Sequence, residues 1–224
     1  MRILFKFATR SRPEKYKKCI ENIISNVAQK DNFQILVTAD TDDTTMNTPE
    51  MIQFSSVPGV KLIFGQSISK IDAINRDMNQ ADAWDILVNT SDDMMFTYVA
   101  FDNAIRDDFS IHFPDLDGVL HYNDGNQKDN CMTMSIIGRR YYELDNYIYH
   151  PDYQSLWCDK EAELVAKKRK KYKYMGDARV LFKHYHPSFG QTKYDDQYRF
   201  TESHNVRAGD QAVYLTRKAK NFNL

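Results

Sequence analysis

The sequence predicts an α/β chain with a mostly parallel central sheet flanked by helices, and two observations carry that prediction. Short β-branched runs alternate with segments that repeat apolar residues every three or four positions, the pattern of strand and helix units wound around one sheet. Two of the runs end in carboxylates, Ala39-Asp40-Thr41-Asp42-Asp43 and Ser91-Asp92-Asp93, which places acidic charge at strand carboxyl ends, where open α/β sheets bind ligands. With 224 residues, 42% of them apolar, the chain is long enough to bury one sizeable core.

The elements follow in order. Ile3 to Phe7 reads as a first strand. Ser11, with Glu14 three residues on, has the pattern of a capping box, and Pro13 falls in a first helical turn where its missing N–H is harmless. Tyr16, Cys19, Ile20, Ile23, Ile24 and Val27 then mark the buried face of a helix. Gln34 to Thr38 forms a second strand, and Thr48-Pro49-Glu50 opens a short helix through Phe54. Val60 to Phe64 forms a third strand, and Ser69 to Gln80 a helix with Ile71, Ile74 and Met78 inward. Ile86 to Asn89 is the fourth strand. Further on, Phe101 to Phe109 reads as a helix, and Val119 to Tyr122 and Met132 to Ile137 as strands that complete or extend the sheet. A helix opens at Gly138-Arg139-Arg140. Units joined this tightly imply right-handed crossovers.

Composition excludes several classes. Lysine and arginine total 30 against 31 acidic residues, so no global charge calls for a polyanionic partner. Cys19, Cys131 and Cys158 are scattered and without metal-ligand spacing, which fits free thiols in a reducing compartment. Met1-Arg2-Ile3-Leu4-Phe5-Lys6 turns charged too soon for a signal peptide, and no apolar run reaches the roughly 18 residues of a membrane span, so the expected location is cytoplasmic. No Gly-x-Gly-x-x-Gly and no Walker-type loop occurs, and the chain has only 8 glycines. A bound diphosphate is then neutralised by a metal rather than cradled by amides.

Asp92 and Asp93 admit two readings. Adjacent carboxylates at a strand end suit a hard divalent cation whose open positions take phosphate oxygens. Ser91 or Asp92 also suits the N-cap of a following helix, where acidic residues favour the dipole.

A strand leading into Thr9-Arg10-Ser11-Arg12, a second ending at Asp40, then Lys70-Ile71-Asp72-Ala73-Ile74-Asn75 and a strand ending in Ser91-Asp92-Asp93 together resemble the nucleotide-sugar half of a family 2-type GT-A glycosyltransferase. The resemblance implies a single GT-A domain over 1–224, with a nucleotide-sugar-binding half at 1–97 and an acceptor-side half and C-terminal closing segment at 98–224. It implies a hexosyltransferase-like enzyme that moves a sugar from a nucleotide-sugar donor to an acceptor hydroxyl. By the same resemblance Thr9, Arg10, Asp40, Lys70, Asn75 and Asp92 hold the donor nucleotide, and Asp93 binds Mn2+ or Mg2+. A strict Asp-x-Asp is absent, because Thr90 or Ser91 stands where the first aspartate would.

The second half resembles the family more loosely. Trp157-Cys158-Asp159-Lys160-Glu161 looks like the segment in which an acidic pair opens a helix beneath the acceptor, making Asp159 the general base of an inverting transfer and Glu161 the reserve. Either residue also serves as a plain helix-start acid. Val180 to Lys183 reads as an edge strand, and alternation puts His184 and His186 on one face, from which one of them completes the metal site. His186, before Pro187, is the first choice. Asp195, Asp196 and Asp210 are candidates to cap or close the site.

Lys167 to Lys173 is the one concentrated charge run. It reads as the solvated end of the helix begun near Asp159, favoured by the dipole, and alternatively as a contact for the acceptor, a glycan, a lipid-linked sugar at a membrane surface or nucleic acid, of which the anionic ones reward clustered lysine. Two other functions compete with transfer of a sugar: a nucleotidyltransferase, which ordinarily needs a glycine-rich loop that Ala8 to Pro13 lacks, and a catalytically inactive sugar-nucleotide-binding subunit that keeps Asp92 and Asp93 without a working base.

Overall fold

The computed structural model describes residues 1–224 and is built around strand β1 (Ile3–Ala8), whose residues are almost all buried. Helix α1 (Pro13–Asn26) leads to strand β2 (Phe33–Asp40), helix α2 (Pro49–Phe54) to β3 (Val60–Gly65), and α3 (Lys70–Asn75) to β4 (Ile86–Asn89). These four strands are mutually parallel, in the order β3-β2-β1-β4, with Ile3 beside Phe33 on one side and Ile86 on the other. Their carboxyl ends therefore open on one edge of the sheet.

The second half adds a short strand β5 (Met94–Phe96), helix α4 (Phe101–His112), strands β6 (Val119–His121) and β7 (Ile136–Gly138), and helices α5 (Arg139–Tyr142) and α6 (Cys158–Lys168). Strand β8 (Tyr172–Tyr174), strand β9 (Phe182–His184) and helices α7 (Asp196–Thr201) and α8 (His204–Ala219) complete it. Strand β7 runs antiparallel between β4 and β6, and β8 pairs parallel with β6, giving a mostly parallel sheet of seven strands in the order β3-β2-β1-β4-β7-β6-β8. Strands β5 and β9 form a separate antiparallel pair. At Gly138 an added Cβ would lie 2.2 Å from the Leu116 carbonyl oxygen, so only glycine lets β7 pass there.

Alternation along the buried strands supplies a core on each face. Ile3, Phe5 and Phe7 of β1 pack with Ile35 and Val37 against α1 and α4, and Leu4, Leu36 and Leu87 pack on the other side with Ile71, Ile74 and Trp84. Covering both faces explains why the strands read as continuous apolar runs. Lys6 is fully buried on the second side, donating to the Thr38 hydroxyl, and burial lowers its pKa to about 7.

Several local expectations are corrected. The capping box does not form: Ser11 adopts φ 57° and gives its amide to Asp43 Oδ2 at 2.7 Å, leaving Arg12 as the N-cap without a side-chain bond. Pro13 does open α1. The helix expected over Ser69 to Gln80 stops at Asn75, because Arg76 and Asp77 turn back to β2. Arg76 donates to the Ala39 carbonyl at 2.7 Å, and Asp77, at φ 67°, accepts from the Thr38 hydroxyl at 3.1 Å. A short 3-10 turn at Met78–Gln80 follows. The strand expected from Met132 starts only at Ile136, and β8 lies within the basic run, where no strand was expected. Asp92 and Asp93 lead into β5 rather than a helix, so the cap reading of this pair fails.

That basic run is largely consumed within the fold. Lys167 pairs with Glu163 at 2.6 Å, Arg169 forks onto Asp145 at 2.6 and 2.8 Å, and Lys171 reaches Asp117 at 2.8 Å. No helix is long and apolar enough to cross a membrane.

Candidate active site

Because β1, β2 and β4 are parallel neighbours, Thr9, Asp40 and Asp92 emerge side by side into a cleft of about 650 Å3. That volume lies in the usual range for small-molecule sites. The cleft is also lined by Arg10, Lys70, Asp93, Asp159, His184 and His186, which brings together most of the residues singled out from sequence.

Asp92 and Asp93 are both buried, and their surroundings separate them. Asp92 accepts from the Thr9 hydroxyl at 2.9 Å and pairs with Arg12 at 3.1 Å. Burial, aided by the neighbouring charge of Asp93 and opposed by Arg12, raises its pKa to about 6. Burial would also raise Asp93, but His184, Ser91 and Tyr198 outweigh it and hold Asp93 well below the usual carboxylate range. Tyr198 donates to Asp93 Oδ2 at 2.5 Å, and His184 Nε2 stands 3.5 Å from the same oxygen. Asp93 is the stronger acid of the pair.

His184 rather than His186 turns toward Asp93. Its other nitrogen, Nδ1, is buried without a hydrogen-bond partner, 3.7 Å from Asp124 Oδ2. Burial opposes its charge, but Asp124 and Asp93 together raise its pKa to about 9. His186 does share a face with it, the ring centroids being 5.3 Å apart, yet both of its nitrogens are engaged: Nε2 lies 2.7 Å from Glu202 Oε1, and Nδ1 accepts from the Ser188 amide at 3.3 Å.

Arg10 spans Asp40 at 2.8 Å and Asp42 at 2.7 Å. The other oxygen of Asp40, Oδ1, is buried and faces Arg76 Nη1 at 3.5 Å, so this carboxylate lies between two guanidinium groups. Lys70 opens α3 with an exposed ammonium. Asn75 does not reach the cleft: its amide donates to the Tyr149 carbonyl at 2.6 Å and its oxygen accepts from the Ile148 and Tyr149 amides, fastening α3 to the 148–149 segment.

Asp159 lines the cleft from the first turn of α6. Its Oδ1 accepts the Lys160 amide at 2.7 Å, and its Oδ2 faces the Cys131 thiol, which donates at 3.2 Å. The segment that delivers it is held by Asp210 of α8, whose carboxylate accepts from the amides of Gln154, Ser155 and Leu156 at 2.7 to 2.8 Å. Glu161 points away from the cleft. It is buried against Arg217 of α8 at 2.8 Å and accepts from the Tyr153 hydroxyl at 2.7 Å, so it anchors α6.

The sequence left Arg12, Tyr198 and Asp124 without roles and did not rank the late acids. Asp195 forks onto Arg12 at 2.7 and 3.0 Å and meets Lys15 at 2.8 Å, Asp210 is the anchor just described, and Asp196 is exposed. No local signal marks Tyr198, which meets Asp93 across 105 positions.

No known family's sequence pattern matches the chain, and no curated protein matches it. Solved structures do. A mannosyltransferase, PcManGT, from Pyrobaculum calidifontis in complex with GDP-Man and Mn2+ matches with TM-score 0.62 at 13% identity, over 82% of this chain and 56% of that one. Residues 1–349 of S. aureus TarS in complex with UDP-GlcNAc match with TM-score 0.61 at 14% identity, over 90% of this chain and 64% of TarS 1–349. A putative nucleotide-diphospho-sugar transferase from Desulfovibrio desulfuricans G20 matches with TM-score 0.51 at 11% identity, over 96% and 98%. The chain thus spans under two thirds of the length of the first two. Strand order, the open strand ends and these likenesses together give the chain a GT-A-like fold, the α/β architecture of glycosyltransferases and nucleotide-diphospho-sugar transferases.

Proposed function

We propose that the cleft transfers a sugar from a nucleotide-sugar donor to an acceptor hydroxyl with inversion. The observation that carries this reading is that Asp93, just beyond β4, and Asp159, at the start of α6, line one cleft together with Thr9, Asp40 and Asp92 at the ends of three parallel strands. Neighbours of this fold carry GDP-Man with Mn2+ and UDP-GlcNAc, which supports the donor class.

Thr9, Arg10 and Asp40 would meet the nucleoside, Asp40 through the oxygen it shares with Arg10 at the cleft wall. Asp92 would accept from ribose, and Lys70 would follow the nucleotide along the lip. Asp159 would take the acceptor hydroxyl's proton as that oxygen bonds to the anomeric carbon and the bond from this carbon to the terminal phosphate oxygen breaks. The Cys131 thiol and the Lys160 amide fix the carboxylate's orientation for that transfer.

A divalent cation fits the donor set. No three His, Cys, Asp or Glu side chains converge enough to hold one alone, but Asp93 Oδ2 and His184 Nε2, 3.5 Å apart, would offer one oxygen and, from the neutral imidazole with its proton on Nδ1 toward Asp124, one nitrogen beside a diphosphate that supplies further oxygens. When bound, Mn2+ or Mg2+ supplies charge that offsets the departing diphosphate.

The test is thermal stabilisation by a panel of nucleoside diphosphates with and without Mn2+, repeated on Asp93→Ala. A midpoint raised by one nucleotide only with metal, and lost in the variant, is the expected result. A midpoint unmoved by every nucleotide sinks the reading.

A further inference from the structure

Helix α7 carries an unexplained pair of contacts. From its N-cap, Asp195 presents both carboxylate oxygens to Arg12, Oδ1 to Nη2 at 2.7 Å and Oδ2 to Nε at 3.0 Å, and takes Lys15 Nζ at 2.8 Å. One turn on, Tyr198 places its hydroxyl proton on Asp93 Oδ2 and its ring under the same guanidinium, 3.9 Å from ring centre to Arg12 Cζ. A planar fork with an ammonium beside it is the arrangement that recognises phosphate as readily as carboxylate. Arg12 lines the cleft and bonds Asp92 through its remaining arm.

We infer that Arg12 and Lys15 form an anion subsite for the donor's diphosphate, in which Asp195 stands in for phosphate until the donor arrives. This rests on the transfer reading for the identity of the anion. Three features support displacement over a permanent ion pair. The Asp195 side chain is one-third exposed, so its pairing with Lys15 and Arg12 costs little to exchange for a dianion. Tyr198 offers Asp93 a hydroxyl proton where a donor-bound cation would offer charge, so one six-residue helix supplies a substitute for each half of a metal diphosphate. Phe200 of α7, 74% exposed on the cleft's lining, is not held by the core. Donor binding and release of α7 are then one equilibrium, in which Asp195 and phosphate compete for the same cations.

The experiment measures inorganic pyrophosphate and the nucleoside diphosphates GDP and UDP by calorimetry, each with Mn2+, on the wild type, Asp195→Asn and Arg12→Gln. Asp195→Asn is expected to bind pyrophosphate about fivefold more tightly, since an internal competitor is gone, and Arg12→Gln to bind it more weakly. Equal or weaker binding by Asp195→Asn overturns the proposal. Should that variant fail to fold, the wild type still decides: pyrophosphate is expected to speed tryptic cleavage at Lys193 and Arg199 as α7 lets go, and slowed or unchanged cleavage refutes displacement. If Asp195→Asn tightens pyrophosphate while neither nucleotide binds better than pyrophosphate, the subsite stands and the transfer reading loses its support. If a nucleotide binds with metal but no more tightly to Asp195→Asn, the subsite fails and the transfer reading stands.

Discussion

Tyr198 and Asp93, 105 positions apart, share a 2.5 Å hydrogen bond that joins the C-terminal segment to the acid at the end of β4. The phenol takes a lone pair of Asp93 Oδ2, the oxygen nearest His184 Nε2, so it competes with any cation set between that carboxylate and imidazole. Tyr198→Phe keeps the buried ring and deletes the competitor. Its expected outcome is a loss of about 2 kcal/mol of stability, the scale of a hydrogen bond to a charged group, together with tighter Mn2+ binding. Urea midpoints and a Mn2+ titration followed by electron paramagnetic resonance measure both, and weaker Mn2+ binding would show that the phenol supports the site instead.

Asp159 and Glu161 are two residues apart on α6 and face opposite ways, so their substitutions separate chemistry from architecture. Asp159→Asn preserves shape and the Cys131 contact, and its expected effect is about a 10³-fold fall in transfer with nucleotide-dependent stabilisation intact. Glu161→Gln leaves the Arg217 guanidinium only the exposed Asp152 carboxylate at 3.9 Å, which should cost about 3 kcal/mol of stability while each folded molecule stays active. The reverse pattern in a paired assay of transfer and urea unfolding would move the base from Asp159 to Glu161.

Most of the fold could be read along the chain, and so could the meeting of Thr9, Asp40, Asp92 and Asp93 in one cleft. Strands β1, β2 and β4 are short apolar runs closed by polar residues, so their existence, their parallel arrangement and the placement of Asp40, Asp92 and Asp93 at their ends follow from local pattern. Helix α3 was read too long because its apolar spacing continues past Asn75. What ends it is the long-range demand of Thr38 and Ala39 on Asp77 and Arg76, invisible to periodicity. The difference between His184 and His186 is hidden for the same reason: alternation puts both on one face, and only Glu202, beside α7, engages His186 and leaves His184 facing Asp93. Arg12, quoted within its motif, had no role until Asp195 met it from 183 positions away.

Asp210 accepts three successive backbone amides and so sets the path into α6. Asp210→Ala leaves these donors without an acceptor, two of them on the lining residues Ser155 and Leu156, at an expected cost of about 3 kcal/mol. Hydrogen exchange resolves the effect by position. Amides 154 to 156 should lose protection first, ahead of β1, and the nucleotide-dependent shift should survive because Thr9, Asp40 and Asp93 are untouched. Uniform loss of protection would instead mean that α8 is part of the global folding unit.

Lys6 gives the pH dependence a defined sign. Burial lowers its pKa from 10.5 to about 7 in the folded chain, with Asp77 opposing, while the unfolded chain keeps the ordinary value. Between those two values the unfolded state binds more protons, so stability rises with pH from about 7 toward 10.5. Below about pH 7 the full penalty of the buried ammonium is present. The slope approaches roughly 1.4 kcal/mol per pH unit for this one group. Lys6→Met fills the same space without a charge, since the side chain lies wholly within the sheet between β1, the Thr38 hydroxyl and α3. The variant is expected to be more stable than the wild type at pH 6.5 and to show a flatter profile from pH 7 to 9, with the two curves converging as pH rises. Urea unfolding at four pH values checks it. A wild-type profile that is flat over this range would mean that the ammonium stays charged beside Asp77, and that the Lys6–Thr38–Asp77 chain supports the strand ends as an ion pair.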